Sequence, residues 1–202
     1  MARLAYSKSS LSKETVKLKR YKQYLPSLDL KRQQLALERK KAQVIVEQAK
    51  QEIAECYQQT AAMLPMLADT TIDVTGLVKL HTIEMAEENV VGVHLPVIKQ
   101  LDISVKPYSL FAEPHWVDQL VIQLKKMIAL KAEQKVKEQR VEILHFALRK
   151  ITQRVNLFDK VLIPKAQQDI RKIRIYLSDM ETAAVVRAKS TKQKRMKLNR
   201  GN

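Results

Sequence analysis

Flexible and cross-linking residues are scarce in this sequence. Of its 202 residues, three are glycine, six are proline and one is cysteine, and aromatic residues make up only 5%. Because phosphate-binding loops and dinucleotide-binding fingerprints need several closely spaced glycines, we expect neither kind of site. The single cysteine, Cys56, excludes an internal disulfide and suits a reducing compartment.

Long apolar runs are also missing. No stretch reaches the length of about 18 apolar residues that a membrane-spanning helix requires, so we expect no membrane insertion. The first residues, MARLAYSKSSLSKETVK, contain no apolar segment that could act as a signal peptide. Together these absences predict a cytoplasmic protein.

Groups with recognisable catalytic or metal-binding spacing are absent as well. The four histidines are His81, His94, His115 and His145, and no two of them are three or four residues apart. No zinc or haem spacing can be written, and no nucleophile, base and orienting group can be assembled. We therefore expect no metal, no cofactor and no catalytic residue, and an enzyme acting alone is improbable.

What the sequence contains instead is heptad periodicity. Apolar residues recur every seven positions in two sets that alternate by three and four residues, which is the pattern of a coiled-coil seam. The predicted seam residues are Leu11, Leu18, Leu28, Leu35, Leu148, Ile151, Val155, Phe158, Leu162, Ile170, Ile173 and Leu177. The predicted fold is mainly α, with a long antiparallel two-helix coiled coil formed by the N-terminal and C-terminal helices.

The C-terminal seam has one irregularity. After Leu162 the spacing changes to two successive four-residue steps, through Ala166 and Ile170, and such a stutter locally unwinds a left-handed supercoil. Pro164 lies at the same place and removes one backbone donor, which favours a bend.

The middle of the chain follows a different pattern. Leu77, Leu80, Ile83, Met85 and Ala86 predict a short helix, whereas the β-branched residues that follow predict a small β-hairpin at about 89–106. The predicted division is an N-terminal coiled-coil helix at 1–66, a middle region at 67–115, a C-terminal coiled-coil helix at 116–190 and a basic, partly disordered tail at 191–202.

Charge is unevenly distributed. The formal net charge is +16, yet residues 51–116 hold three Lys or Arg against nine Asp or Glu, while residues 183–202 hold seven against none. In an antiparallel hairpin the two basic termini would meet at one end and form a cationic tip that binds acidic surfaces or phosphates. A solvated basic face is the simpler interpretation of the same residues.

Three separate segments resemble one family. They are RVNLF at 154–158 followed by Ile163-Pro164, Ile170, Ile173, Leu177, Met180-Glu181 and Arg187; Lys8-Ser9 with Leu11 and LDLKR at 28–32; and VVGVHLPV at 90–97. In order and spacing they resemble the D subunit of the V-type and A-type rotary ATPases. Phe158, Asp159, Asp169, Ser178 and His94 depart from the family pattern, which puts the affinity for partners in doubt more than the resemblance.

The resemblance implies a central rotor shaft that performs no bond chemistry itself. Its implied partners are the catalytic A and B subunits, the F subunit of the rotor and the socket subunit above the membrane ring. The residues implied to contact the catalytic hexamer at the shaft tip are Lys8, Lys13, Arg187, Lys189, Lys192 and Lys194. The residues implied to bind a partner through the hairpin are Val91, Gly92, Val93, Leu95, Pro96 and Val97.

Two alternatives remain open from the residues alone. A basic helical hairpin can bind nucleic acid through its phosphates, although aromatic side chains that would stack on bases are few. The gamma-type shaft of F-type ATP synthases is a similar coiled coil, but it carries a larger α/β domain than the middle of this chain can form.

Overall fold

Along the chain, a two-stranded sheet lies between one long helical region and another. The computed structural model describes residues 5–63, 65, 76–108, 114 and 116–198. Helix α1 is Lys8–Met63, strand β1 is Val78–Val90, strand β2 is Val93–Val105 and helix α2 is Trp116–Leu157. A short π-helical turn at Phe158–Leu162 joins α2 directly to helix α3, which is Ile163–Leu198.

The chain divides into two compact units. The terminal unit has 5–30 and 151–198 as its described residues, and the middle unit is Lys31–Lys150. The N-terminal part of α1 thus belongs to the terminal unit with α3, whereas its C-terminal part belongs to the middle unit with most of α2 and the sheet.

In the terminal unit, α1 and α3 run antiparallel. The rings of Tyr21 and Phe158 meet edge to face at 5.4 Å, and those of Tyr6 and Tyr176 lie 5.1 Å apart. Residue numbers therefore fall along one helix as they rise along the other. The start of α1 is capped by the chain itself, because the Ser10 backbone N–H donates to Ser7 Oγ at 3.2 Å.

The π turn lies where the seam spacing is irregular. The Ile163 N–H donates to the Phe158 carbonyl, five residues back, so this turn contains one more residue than an α turn. An extra residue keeps side chains that are four apart on one face of the helix, and Ala166 and Ile170 are indeed buried. Pro164 directly follows the widened turn, which relieves the clash of its ring with the preceding carbonyls.

In the middle unit, α1 and α2 are also antiparallel, and the sheet packs on them. Lys50 Nζ lies 3.8 Å from Glu138 Oε1, and Arg39 Nη1 lies 3.3 Å from His145 Nδ1. The core of this unit is formed by side chains from both helices and from β2. Its buried members are Leu35, Val46, Ala49, Cys56, Leu95, Val117, Leu120, Val121, Val136 and Leu144.

Strands β1 and β2 form an antiparallel hairpin that pairs Val78 with Val105 at the open end and Val90 with Val93 at the turn. The register shifts twice, between Leu80 and Thr82 and between Glu84 and Met85. The strands are unequally covered: every residue of β1 from 79 to 89 is exposed, while most of β2 is buried or half-buried.

The prediction of a mainly helical chain with two long terminal helices and a central hairpin is confirmed, but the predicted short helix is wrong. Leu80, Ile83, Met85 and Ala86 lie in β1, because pairing with the β-branched residues of β2 outweighs their helical spacing. The turn falls at Val91-Gly92, near the start of the hairpin predicted at about 89–106, so the first strand occupies the segment predicted as the short helix. Helix α3 ends at Leu198, beyond the predicted boundary at residue 190, because its last turns are rich in good helix formers.

Candidate functional site

The basic end of the terminal unit is the first candidate surface. Lys8, the first residue of α1, lies opposite Glu181 of α3, with Nζ 3.4 Å from Oε1. The turns of α3 that follow Glu181 therefore extend past the start of α1. Every side chain from 184 to 196 is exposed, and no acidic residue occurs between 182 and 198. Arg187, Lys189, Lys192 and Lys194 therefore lie on an open, uniformly basic helix.

Lys8 and Lys13 are exposed on α1 of the same unit. Lys8 faces Glu181, which partly neutralises it, although both side chains are largely solvated and such a pair contributes little to stability. The structure thus brings all six predicted tip residues into one unit.

The predicted seam residues all lie at protected positions. Leu35, Ile151, Val155, Ile170 and Ile173 are buried, with Ile173 completely inaccessible. Two helices alone exclude water from only one stripe of side chains, so partial burial is expected for the rest. The half-buried seam residues are Leu11, Leu18, Leu28, Leu148, Phe158, Leu162 and Leu177.

The hairpin turn is the second candidate surface. Val91 and Gly92 have φ angles of 53° and 75°, and the Gly92 N–H donates to Asn89 Oδ1 at 2.9 Å. Positive φ at both central residues is the type I′ geometry that suits the twist of a two-residue hairpin. Glycine adopts a positive φ without strain, but a β-branched residue such as Val91 is strained by it. A Cβ at Gly92 would also lie 3.1 Å from Lys31 Nζ.

The two faces of the hairpin have different surroundings. Glu88 and Leu95 are cross-strand partners on one face, where Arg140 Nη2 donates to Glu88 Oε2 at 2.9 Å and Leu95 is 1% exposed. A small cavity of about 230 Å³ on this face is lined by Val90 and Leu95 from the sheet and by residues of α1 and α2. This face therefore packs on the chain's own helices.

This packing divides the residues predicted to bind a partner through the hairpin. Leu95 is sealed against the helices, and Val93 and Val97 share its face, so these three side chains serve the internal packing of the middle unit. Pro96 is half-buried on the opposite face, while Val91 and Gly92 lie at the turn. Alternation along β2 separates the two faces here, since no shift in register falls between Val93 and Val97, but alternation does not indicate which face packs on the helices.

An open apolar groove lies between α1 and α2 at the other end of the middle unit. It has a volume of about 920 Å³, and its lining includes Ile53, Tyr57, Leu120, Leu124 and Met127. Tyr57 is 70% exposed, an unusual state for a large aromatic side chain that is flanked by other apolar groups.

Two contacts with displaced pKa values lie outside these surfaces. The Tyr108 hydroxyl donates to Asp118 Oδ1 at 2.6 Å at the start of α2, and this bond raises the pKa of Tyr108. Glu14 accepts a hydrogen bond from Lys17 at 2.7 Å, which raises the pKa of Lys17. Neither pair is part of a cleft, so both are interpreted as structural contacts.

Groups that could support chemistry are not assembled in the described part of the chain. No three His, Cys, Asp or Glu side chains among the described residues converge in a way that could hold a metal ion. Within the same residues, no helix has the length and apolar character needed to cross a bilayer.

The fold and these surfaces define a class of mainly helical proteins with antiparallel helix pairs, one two-stranded sheet and a basic helical end. The chain belongs to the family of the ATP synthase D subunit, whose model matches residues 10–193. It is 32% identical to the V-type ATP synthase D subunit of Borreliella burgdorferi over 202 residues, which is the full length of both chains. It is also 35% identical to the protein of the same name from Chlamydia abortus over 197 residues, covering 93% of this chain and 91% of that one.

Proposed function

We propose that this chain is the central rotor shaft of a V-type ATP synthase, and that it couples ATP hydrolysis or synthesis in a catalytic hexamer to ion movement by rotating. The observation that supports this best is the terminal unit: two antiparallel helices from which α3 continues as an exposed, purely basic helix. An elongated part with one charged end is suited to insertion into the centre of a ring of subunits.

Torque transmission is consistent with the helical packing. Helix α1 contains 56 residues and would span about 84 Å at about 1.5 Å per residue. A shaft of this kind must resist sliding of one helix along the other, and interlocking seam side chains provide that resistance. The chain has the role of transmitting force between sites on other subunits and contributes no catalytic group.

The basic end would face the catalytic A and B subunits. Arg187, Lys189, Lys192 and Lys194 are solvated in the described chain, so their contacts with polar or acidic side chains of a collar can exchange at low cost as the shaft turns. Contacts that were buried and fixed would instead hold the shaft at one angle.

The middle unit would carry the remaining rotor contacts, with the F subunit of the rotor and with the socket subunit above the membrane ring. Its sheet and its open apolar groove are the surfaces available for them. In this arrangement the chain lies on the cytoplasmic side as a peripheral part of a membrane-bound complex.

Rotation can be tested directly on the assembled complex. Cys56 is 2% exposed, so a single added cysteine, Lys106→Cys, should carry a bead while the native thiol stays unlabelled. With the catalytic hexamer fixed to glass, ATP should drive unidirectional rotation of the bead. A bead that stays still while ATP is hydrolysed would refute the rotor role.

The tip is tested by charge reversal. The combined variant Arg187→Glu, Lys189→Glu, Lys192→Glu and Lys194→Glu should lower the ions pumped per ATP without loss of helicity. The matched control reverses four exposed basic residues of the middle unit, Lys40, Lys125, Lys135 and Arg149, and gives the same net charge. Equal pumping by both variants would show that the tip charges have no special role.

The exposed basic helix also favours one other candidate, a nucleic-acid-binding protein. Tagged protein recovered from native extract distinguishes the two functions. The rotor proposal expects the catalytic subunits together with a small rotor protein. RNA that is lost at high salt, recovered without those subunits, would support binding to nucleic acid.

A further inference from the structure

The helical seam of the terminal unit has an interval without a buried side chain. Val155 is 7% exposed before the π turn, and Ala166 is 4% exposed after it. Every side chain at 156–165 is exposed or half-buried, and Leu157 and Val161 are nearly half exposed. Interlocked seam side chains resist sliding and twisting between two helices, so the seam gives the least resistance at the π turn.

The backbones of both helices also have their irregularities near this interval. The π turn at Phe158–Leu162 is followed by Pro164, and α1 contains Pro26. A π turn and a proline each interrupt the regular α hydrogen bonds, and helices bend most easily at such points. The terminal unit therefore combines an open seam with a weakened backbone in the same interval.

An aromatic contact joins the two helices inside this interval. The rings of Tyr21 from α1 and Phe158 from the π turn have centroids 5.4 Å apart and planes at 89°, and both side chains are half-buried. The Phe158 carbonyl also accepts the Ile163 N–H that defines the π turn, so the ring contact attaches the widened turn itself to α1. Tyr21 precedes Pro26 by less than two helical turns.

The edge-to-face geometry makes this contact sensitive to direction. The hydrogen atoms at the edge of one ring carry a partial positive charge and lie against the negative face of the other ring, so the attraction depends on the angle between the rings. Aliphatic contacts depend mainly on the area that they bury. Sliding of α1 along the π turn, or rotation of α1 about its own axis, would open the 89° arrangement and lose the attraction. The pair therefore opposes the displacements that the open seam permits.

From this geometry we propose that Tyr21 and Phe158 are positioning residues of the shaft, and that their contact keeps α1 and the π turn in register while torque is transmitted. The proposal rests on the proposed rotor function. The two residues act on coupling by limiting how far the terminal unit twists, and they contribute no group to bond chemistry.

A double-mutant cycle in the full chain measures the contact itself. The variants are Tyr21→Ala, Phe158→Ala and the double variant, and denaturant unfolding gives the stability of each. The pair should change the ratio of folded to unfolded chain by about two- to tenfold beyond the product of the single effects. Phe158→Leu keeps apolar volume at the turn and provides a second cycle with Tyr21→Ala if the alanine variant does not fold. A coupling of zero in either cycle would refute the contact.

The stiffness of the shaft is the readout that a merely structural contact would leave unchanged. In the assembled complex with the bead on Lys106→Cys and no ATP, the angle of the bead fluctuates about a mean, and a softer shaft gives a larger angular variance. Phe158→Leu and Tyr21→Ala should each increase the variance, and the double variant should add little to either. Tyr21→Phe keeps the ring and should retain the variance of the unmodified complex, because the hydroxyl is not part of the edge-to-face contact.

A second ring pair of the same unit supplies the matched control. Tyr6→Ala with Tyr176→Ala removes rings that lie 5.1 Å apart, at a level where the seam is closed by Ile173. This variant should increase the angular variance less than loss of the Tyr21–Phe158 contact does. Equal increases from the two pairs would overturn the proposal.

The outcomes separate this proposal from the rotor function. A bead that rotates with ATP, but whose angular variance is the same with and without the Tyr21–Phe158 contact, would refute the positioning role and leave the rotor function standing. A bead that stays still in the unmodified complex while ATP is hydrolysed would refute the rotor function and the positioning role with it.

Discussion

Each unit contains a pair of antiparallel helices, α1 with α3 in the terminal unit and α1 with α2 in the middle unit, yet the two units bury their apolar residues to different extents. No described side chain of α1 between Lys8 and Leu30 is fully buried, whereas Leu35, Val46, Ala49 and Cys56 of the same helix are buried in the middle unit. The middle unit has a sheet as a third element, and the sheet contributes Leu95 to the core. Two packed helices exclude water only from the stripe of side chains between them. A third element that packs on both helices buries further side chains.

The contrast also concerns regularity. The terminal unit contains a proline within α1, Pro26, and the π turn followed by Pro164. In the described helical segments of the middle unit, neither feature occurs. The terminal unit therefore combines a thinner core with irregular helices, and it should be the less stable of the two.

Truncation of core residues should give the largest effect. Leu144→Ala in the middle unit, where Leu144 is 2% exposed, should lower the free energy of unfolding by about 2–5 kcal/mol. Leu18→Ala in the terminal unit should cost less, about 1–2 kcal/mol, because Leu18 is only half-buried. Denaturant unfolding followed by circular dichroism measures both. Equal losses would contradict the contrast in burial, and exposed Leu37→Ala serves as a near-neutral control.

Removal of each proline should stabilise the terminal unit to a different degree. Pro26→Ala should raise the free energy of unfolding by about 1–3 kcal/mol, since a proline within an α-helix removes a hydrogen bond and crowds the preceding turn. Pro164→Ala should gain less, because the π turn before it already relieves that crowding. The same unfolding measurement decides this, and a larger gain at Pro164 would argue against such relief.

Replacement of the strained turn residue should stabilise the middle unit. Val91→Asn should lower the cost of a positive φ by about 1 kcal/mol, since asparagine adopts this conformation more readily than a β-branched residue. Hydrogen exchange of the β1 and β2 amides should slow, while exchange in the terminal unit serves as the internal control. Faster exchange in the hairpin would indicate that the Val91 side chain makes contacts worth more than the strain.

The smallest expected effect is a dependence on alkaline pH, and it occurs in both units. Asp118 raises the pKa of Tyr108, so this contact contributes its full stability below the ordinary tyrosine pKa near 10.0 and loses it as the pH rises further. The stability difference between the protein and Tyr108→Phe should therefore shrink above that pH. A difference that stays constant would show that the hydrogen bond contributes nothing measurable.

In the terminal unit, Lys17 makes the corresponding contact with Glu14. The hydrogen bond to Glu14 raises the pKa of Lys17 from its ordinary value of 10.5. Its contribution is likewise complete below that value and is lost as the pH rises above it. Lys17→Met should show the same shrinking difference in thermal unfolding. An effect of opposite sign would mean that the charge of Lys17 is unfavourable in the folded chain.

Much of the helical architecture could be predicted from local pattern. The seam residues Leu35, Ile151 and Ile173 recur at heptad spacing, and this spacing alone indicates which face of a helix excludes water. The change of spacing after Leu162 with Pro164 indicated an irregular turn, and the π turn lies directly before that proline. The charge of the basic end was likewise readable, since it depends on composition and not on packing.

The middle of the chain was predicted less well because its pattern is ambiguous. The spacing of Leu80, Ile83 and Ala86 fits one face of a helix. Leu80 and Ile83 share one face of a strand only if the pairing passes over His81. A bulge has no clear signature in a single sequence, since it depends on which residue of the other strand lies opposite. The same bulges decide which hairpin side chains face the helices.

The sequence by itself determined the long helices, their seam, the position of the irregular turn and the basic end, because heptad spacing, proline and charge act within a few residues of the chain. Only the tertiary structure decided the strand register, the sealing of Leu95 and the exposure of Ile83 and Met85 on the other face. These features depend on contacts between residues distant in sequence, and a shift of one residue in pairing exchanges the faces of a strand.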